Sequence, residues 1–148
     1  MRLMLQRVGS ASVKVEGKIV GRINRGILIL AGFKKSDVQE SINKLADKVL
    51  NLRIFEDDQS KMNLSLLDIK GELLVISQFT LYANCKKGRR PSFDMSMPPD
   101  DANHFYELLI DVLKQSGLKV EQGIFGARMQ IELTNDGPVT ILLDSDEL

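Results

Sequence analysis

The sequence predicts an α+β fold, a mostly antiparallel, curled, barrel-like β-sheet with two packing α-helices. Three observations carry this. Stretches with the two-residue alternation of strands outnumber those with the helical period, many strand stretches are joined by short hairpin-like turns, and two segments show an apolar stripe at helical spacing. A length of 148 residues suits one domain, 1–148, which at this size buries roughly 68–70% of its extended-chain surface. Strand order is not legible from such patterns.

Taken in order, Ala11, Val13 and Val15 alternate with Ser12, Lys14 and Glu16, the period of a half-buried strand. Gly17 permits a hairpin, Lys18 to Asn24 form its return arm, and Asn24-Arg25-Gly26 makes a second turn. Ile27 to Phe33 reads as a strand buried on both faces. From Ser36 the period changes: Val38, Ile42, Leu45, Val49 and Leu52 are spaced 4, 3, 4 and 3, one stripe of an amphipathic helix with Ser36 as N-cap and Asp37 in the first turn. A polar stretch, Glu56 to Lys61, precedes an apolar strand, Glu72 to Tyr82. Pro98 and Pro99 start a second helix whose apolar face is Phe105, Leu108, Leu109, Val112 and Leu113, and Gly117 ends it. Ala127, Met129, Ile131 and Leu133 alternate as a strand, and a turn at Asn135-Asp136-Gly137-Pro138 feeds Val139 to Leu143.

Composition excludes several classes of chemistry. Lys plus Arg is 20 and Asp plus Glu is 20, so no global field of one sign marks a nucleic-acid or membrane partner, and any polyanion site is a local patch. A single Cys85 forms no intrachain disulfide and, with the single His104, cannot supply the ligands of a structural zinc site; only carboxylates remain for a metal. One His leaves room for one Ser/His or Cys/His arrangement, and neither His104 nor Cys85 has an identifiable partner. No cofactor motif is present, and no metal requirement is expected. The longest apolar run, Gly26 to Phe33, has eight residues, against the roughly 18–20 of a membrane helix. Leu3-Met4-Leu5 is broken at once by Gln6 and Arg7, so no secretory segment is expected and the expected address is cytoplasmic.

Three segments are candidates for chemistry. Within Ile76 to Tyr82, strand alternation sets Ser77, Phe79 and Leu81 on one face and Gln78, Thr80 and Tyr82 on the other. This is either an ordinary strand with satisfied hydroxyls, or a pocket wall whose backbone N–H groups serve a developing oxyanion. Asn84 to Ser92 carries Lys86, Lys87, Arg89 and Arg90 around Gly88 with no acidic residue. It is either a solvated loop or a phosphate-contact loop. Gly137-Pro138 is either part of a plain turn or a cis pair whose neighbouring carbonyl oxygens receive a ligand amine.

Taken together these segments resemble the D-aminoacyl-tRNA deacylases. The likeness runs nearly end to end: Leu5-Gln6-Arg7-Val8 with Ala11-Ser12-Val13, Ser77-Gln78-Phe79-Thr80-Leu81-Tyr82, and Lys87-Gly88-Arg89-Arg90-Pro91-Ser92-Phe93. It closes with Gly123-Ile124-Phe125-Gly126-Ala127-Arg128-Met129 and Asn135-Asp136-Gly137-Pro138-Val139-Thr140. The resemblance implies hydrolysis of the ester between a D-amino acid and tRNA by a homodimer with active sites at the subunit interface. It implies that Ser77, Gln78, Phe79 and Thr80 form the catalytic segment. It further implies that Gly137-Pro138, in the cis form and steadied by Arg7, reaches into the partner's pocket, holds the substrate amine and excludes L side chains, with Met129 also binding substrate. Glycine has no side chain to exclude, so glycyl-tRNA mischarged on tRNA(Ala) is an expected further substrate. Lys86, Lys87, Arg89 and Arg90 are the expected contacts to the acceptor end of tRNA. Two other classes stay open: a non-enzymatic RNA-binding or ligand-sensing module, which the missing triad and the basic loop support, and a different ester or peptidyl-tRNA hydrolase that accepts N-blocked substrates.

Overall fold

The computed structural model describes residues 1–148. The chain runs β1 (Arg2–Val15), β2 (Lys18–Ile23), β3 (Gly26–Gly32), α1 (Glu40–Asn51), β4 (Phe55–Glu56), β5 (Met62–Leu64), β6 (Glu72–Ser77), α2 (Pro99–Lys114), β7 (Val120–Gln122) and β8 (Met129–Asp144). A 3-10 turn, Phe79–Tyr82, follows β6. The main sheet has the order β2-β1-β3-β6-β7, with β8 also on β1. The fold is α+β: a mixed sheet nearly closed into a barrel, with two helices.

Antiparallel pairing holds where β1 meets β2, β3 and β8, but β3 with β6 and β6 with β7 are parallel. Parallel neighbours need a long crossover, and α1 and α2 each lie in one. Both crossovers step the same way across the sheet, so the right-handed rule sends both helices to the same face. There they bury Ile42, Leu45, Val49, Leu109 and Leu113 against Leu3, Leu5, Ile27, Ile29, Leu73 and Val75. The Tyr106 hydroxyl joins this layer to the sheet by donating to the Val75 carbonyl at 2.7 Å. The opposite face closes on a smaller core of Val8, Ala11, Val13, Ile23, Leu28, Leu74 and Ile76. β3 is thus buried on both faces. β1 changes faces near Gly9-Ser10, where its pairing with β8 slips register, so odd positions that faced the helices come to face the barrel.

Four expectations are corrected. The first helix begins at Glu40, with Gln39 and not Ser36 at its N-cap, and Val38 is exposed. Asp37 is engaged elsewhere: its carboxylate accepts from the Lys34 N–H at 2.8 Å and from the Met1 ammonium. The polar stretch after Ile54 forms the small β4–β5 hairpin, whose turn is wrapped on the Asp57 carboxylate. The strand read as Glu72 to Tyr82 ends at Ser77, because the chain turns at Gln78 into the 3-10 turn. Asn135 to Pro138 does not reverse the chain. Gln6 pairs with Thr140 and Val8 with Asn135, so Asp136 to Val139 bulge out opposite Arg7 within one continuous strand.

Candidate active site

A cleft of about 660 Å³ opens where the carboxyl ends of β3, β6 and β7 converge. Parallel strands present their ends together, so the segments that leave β3, β6 and β7 meet around one opening. Ala31, Phe33 and Lys35 line it from the end of β3, Ser77, Gln78 and Phe79 from the end of β6, and Phe125, Gly126 and Ala127 from beyond β7. Met129 and Ile131 on β8, with Phe93, Met97 and Pro98 ahead of α2, complete an apolar wall.

The turn after β6 is built from backbone bonds. Gln78 donates to Ala31 O at 2.7 Å, the last link to β3, and its own carbonyl accepts from Leu81 N–H at 3.3 Å. The N–H groups of Phe79 and Thr80 precede that first bond, the position whose donors have no partner within a helix. Ser96 Oγ donates to Phe79 O at 3.4 Å, and the Phe79 ring meets Phe93 edge to face with centroids 4.9 Å apart. The Gln78 side-chain amide donates to the Thr80 hydroxyl. This turn cancels the two-faced alternation read for Ser77 to Tyr82. Ser77, Gln78 and Phe79 line the cleft, whereas Thr80 is exposed beside it and outside the lining.

Of the other site residues, Met129 lies in the cleft, and Arg7, Gly137 and Pro138 do not. Arg7 pairs with Ile27 on β3, whereas Ser77 pairs with Ala31, so the bulge lies about 13 Å from the turn after β6 along the strand direction. The Gly137-Pro138 peptide is cis. Arg7 is buried beneath the bulge, donating from Nε to Asp136 O at 2.8 Å and from Nη1 to Ile54 O at 2.6 Å. Asn135 ties the bulge on its other side, its Oδ1 accepting from Val139 N–H at 2.7 Å. Lys86, Lys87, Arg89 and Arg90 are exposed in a loop whose base is closed by the Asn84–Ser92 bridge, directly ahead of Phe93 of the cleft.

His104 forms no dyad. It lines a separate hollow with Lys35, Asp37 and Asp101, its ring edge-on to Phe105, and Cys85 is exposed in the basic loop. No group of three or more His, Cys, Asp or Glu residues is arranged to hold a metal. Sequence reasoning missed Lys35, the one charged residue lining the cleft, and Ser96, which bonds the turn. The available signal was Lys34-Lys35 directly after a doubly buried strand, the place where ligands meet the ends of parallel strands.

The family model described as D-Tyr-tRNA(Tyr) deacylase matches residues 4–144. The chain belongs to this family. A D-aminoacyl-tRNA deacylase of Thermosipho africanus is 58% identical over 148 residues, covering 100% of this chain and 99% of the relative. A D-aminoacyl-tRNA deacylase of Aquifex aeolicus is 56% identical with 100% of both chains covered. Among solved structures, one named c-Myc DNA Unwinding Element Binding Protein superposes with a TM-score of 0.91 at 40% identity, covering 97% of this chain and 98% of that one. A probable eukaryotic D-amino acid tRNA deacylase, at 20% identity and a TM-score of 0.84 over 96% of this chain and 97% of that one, shares the fold. Membership of the deacylase family makes the chain a hydrolase with D-aminoacyl-tRNA deacylase activity.

Proposed function

We propose that the cleft takes the aminoacylated 3′ end of tRNA and hydrolyses its ester by backbone chemistry. The carrying observation is the turn itself: two N–H groups without partners in the turn stand at the mouth of an apolar cleft, and no base accompanies the nearby hydroxyl. A Thr hydroxyl needs an adjacent base to become a nucleophile. Thr80 has only the Gln78 amide, which donates to it. Aminoacyl esters are labile, so stabilising the oxyanion is enough to matter, one such donor being worth roughly 10²–10³ in rate. In this reading Phe79 and Thr80 N–H groups bind the oxyanion, Gln78 and Ser77 shape the pocket, and the ribose 2′-hydroxyl of the substrate helps activate water or the leaving group.

The amine-binding half of the site comes from a second copy. Gly137 and Pro138 do not line their own chain's cleft, and Arg7 with Asn135 holds the bulge as a projecting element, which supports a two-fold homodimer with two equivalent composite sites. The paired carbonyl oxygens of the partner's bulge then grip the α-amino group and clash with an L side chain, specificity by exclusion. Each tenfold of rejection requires about 1.4 kcal/mol. Glycyl-tRNA, without a side chain to clash, is cleaved too. The tRNA docks its acceptor end on Lys86, Lys87, Arg89 and Arg90, the whole chain acts as one domain, and the reaction belongs to the cytoplasm.

Single-turnover deacylation of D-Tyr-tRNA beside L-Tyr-tRNA, with EDTA present, tests the reading. Fast release of the D form alone is expected. Release of both forms removes the chiral filter, and binding without release points to an RNA-binding module. Thr80→Ala retains most of the rate; a fall of several orders of magnitude would instead establish a covalent Thr80 route.

A further inference from the structure

The catalytic turn is anchored from outside the cleft by a residue near the start of the chain. Arg2 in β1 donates from Nη1 to the carbonyl oxygen of Leu81 at 3.0 Å and from Nε to Oδ2 of Asp144 at 2.8 Å. Its guanidinium carbon lies 4.8 Å from the centre of the Tyr82 ring. Strand register sets this up, because Arg2 is the residue paired with Asp144, the last of β8. Arg2 does not line the cleft, so it acts on the reaction only through the turn.

Four residues in 3-10 geometry do not hold their shape unaided. At its entry Leu81 N–H bonds Gln78 O, and at its exit Ala83 N–H bonds Thr80 O at 3.0 Å. The Leu81 carbonyl is taken by Arg2. Tyr82 is buried and its hydroxyl has no hydrogen-bond partner, so the ring is located by packing and by the cation on its face. A planar guanidinium can bond a carbonyl and a carboxylate through its edge while stacking on an aromatic face, and an ammonium cannot do all three.

We propose that Arg2 is a positioning residue for deacylation: its clamp on Leu81, Asp144 and Tyr82 aims the Phe79 and Thr80 N–H groups at the oxyanion. The proposal rests on the role given to those N–H groups above. A misplacement of about 1 Å in such a constellation costs on the order of 10²-fold in rate.

The test is Arg2→Met, which keeps the apolar stem and removes the donors. Single-turnover rate constants on D-Tyr-tRNA, tRNA affinity and amide hydrogen exchange are measured on the same preparations. The rate constant falls about 10- to 100-fold while tRNA affinity stays within about twofold. Exchange at Leu81 and Ala83 accelerates by at least about tenfold, with α1 and β3 unchanged. Guanidinium ion restores part of the rate to Arg2→Ala and none to the wild type. A rate constant per folded molecule equal to wild type, or a loss carried by affinity, overturns the proposal. If Arg2→Met fails to fold, Arg2→Lys gives the same readings: a loss of at least about threefold is expected, and an undiminished rate constant overturns the clamp. Should the wild type release no amino acid, the proposed function fails, while exchange at Leu81 and Ala83 still decides whether Arg2 holds the turn.

Discussion

Gly137 has φ of +146°, and a Cβ there would lie 2.8 Å from Val139 Cγ2 and 3.2 Å from Arg7 Nη2. Any side chain therefore strains the backbone and presses on the guanidinium that carries the bulge. Gly137→Ala is expected to cost about 1–3 kcal/mol locally. Deacylation of the D substrate should fall by at least about tenfold because the carbonyls proposed to bind the amine shift. Circular dichroism and single-turnover assays on one preparation check both, and an unchanged rate would remove Gly137 from the site. At Asp144, burial pushes the carboxyl up, but the Arg2 hydrogen bond and the Asp146 N–H outweigh it and hold the group below the usual carboxylate range. A lowered folded-state value means that its stabilisation is complete above the unfolded value of about 3.9 and is lost as pH falls through the folded value. Asp144→Asn should flatten the acid limb of a thermal-stability profile below about pH 4 and leave its shape near neutrality unchanged.

The proposed function rests on two elements, the turn after β6 and the basic loop that follows it. The turn approaches β3 closely enough that a Cβ on Gly32 would sit 2.8 Å from Gln78 O and 3.0 Å from Leu81 Cβ. Gly32→Ala must displace the turn, with an overpacking cost of about 1–3 kcal/mol. Its single-turnover rate constant should drop while tRNA affinity holds, and a loss confined to affinity would place the turn outside the chemistry. The basic loop makes the opposite prediction. Neutralising Lys86, Lys87, Arg89 and Arg90 together should weaken tRNA binding and reduce its salt slope by about 3, at roughly 0.7–0.9 per phosphate contact. The same variant should cleave D-aminoacyl-adenosine at the wild-type rate. Equal losses on both substrates would make the loop structural.

For the whole molecule, the separation of Arg7, Gly137 and Pro138 from the cleft predicts complementation. A variant altered at Gly137 keeps its cleft, and a variant altered at Gln78 keeps its bulge. In a mixed pair of the proposed homodimer, one of the two composite sites combines both intact halves. Random reassortment makes about half the dimers mixed, so about a quarter of wild-type sites should reappear on mixing two inactive proteins. A mixture that stays inactive after subunit exchange, followed by native mass spectrometry, would place each site within one chain.

Much of this was legible locally. Alternation marked β1 and the first arm of β8, a continuous apolar run marked β3, a spacing of threes and fours marked both helices, and Pro98-Pro99 marked the start of α2, because burial imposes those patterns on any chain that folds this way. Motif spacing placed the chain among the deacylases. Tertiary structure alone decided the rest. Parallel pairing of β3, β6 and β7 depends on which strands a crossover brings together, which no local period encodes. Ser36 lost the helix cap because Asp37 found the Met1 ammonium and the Lys34 N–H, partners that only folding brings near. The apolar run into Tyr82 carries a strand's pattern but ends as a 3-10 turn, since beyond Gln78 it has no neighbour in register and Arg2 takes the Leu81 carbonyl. Asn135 to Pro138 has the residues of a hairpin turn, yet the chain runs straight on because both arms of β8 pair with the same strand. Composition and period report what each residue needs to bury or bond; which distant group satisfies it is settled only when the sheet closes.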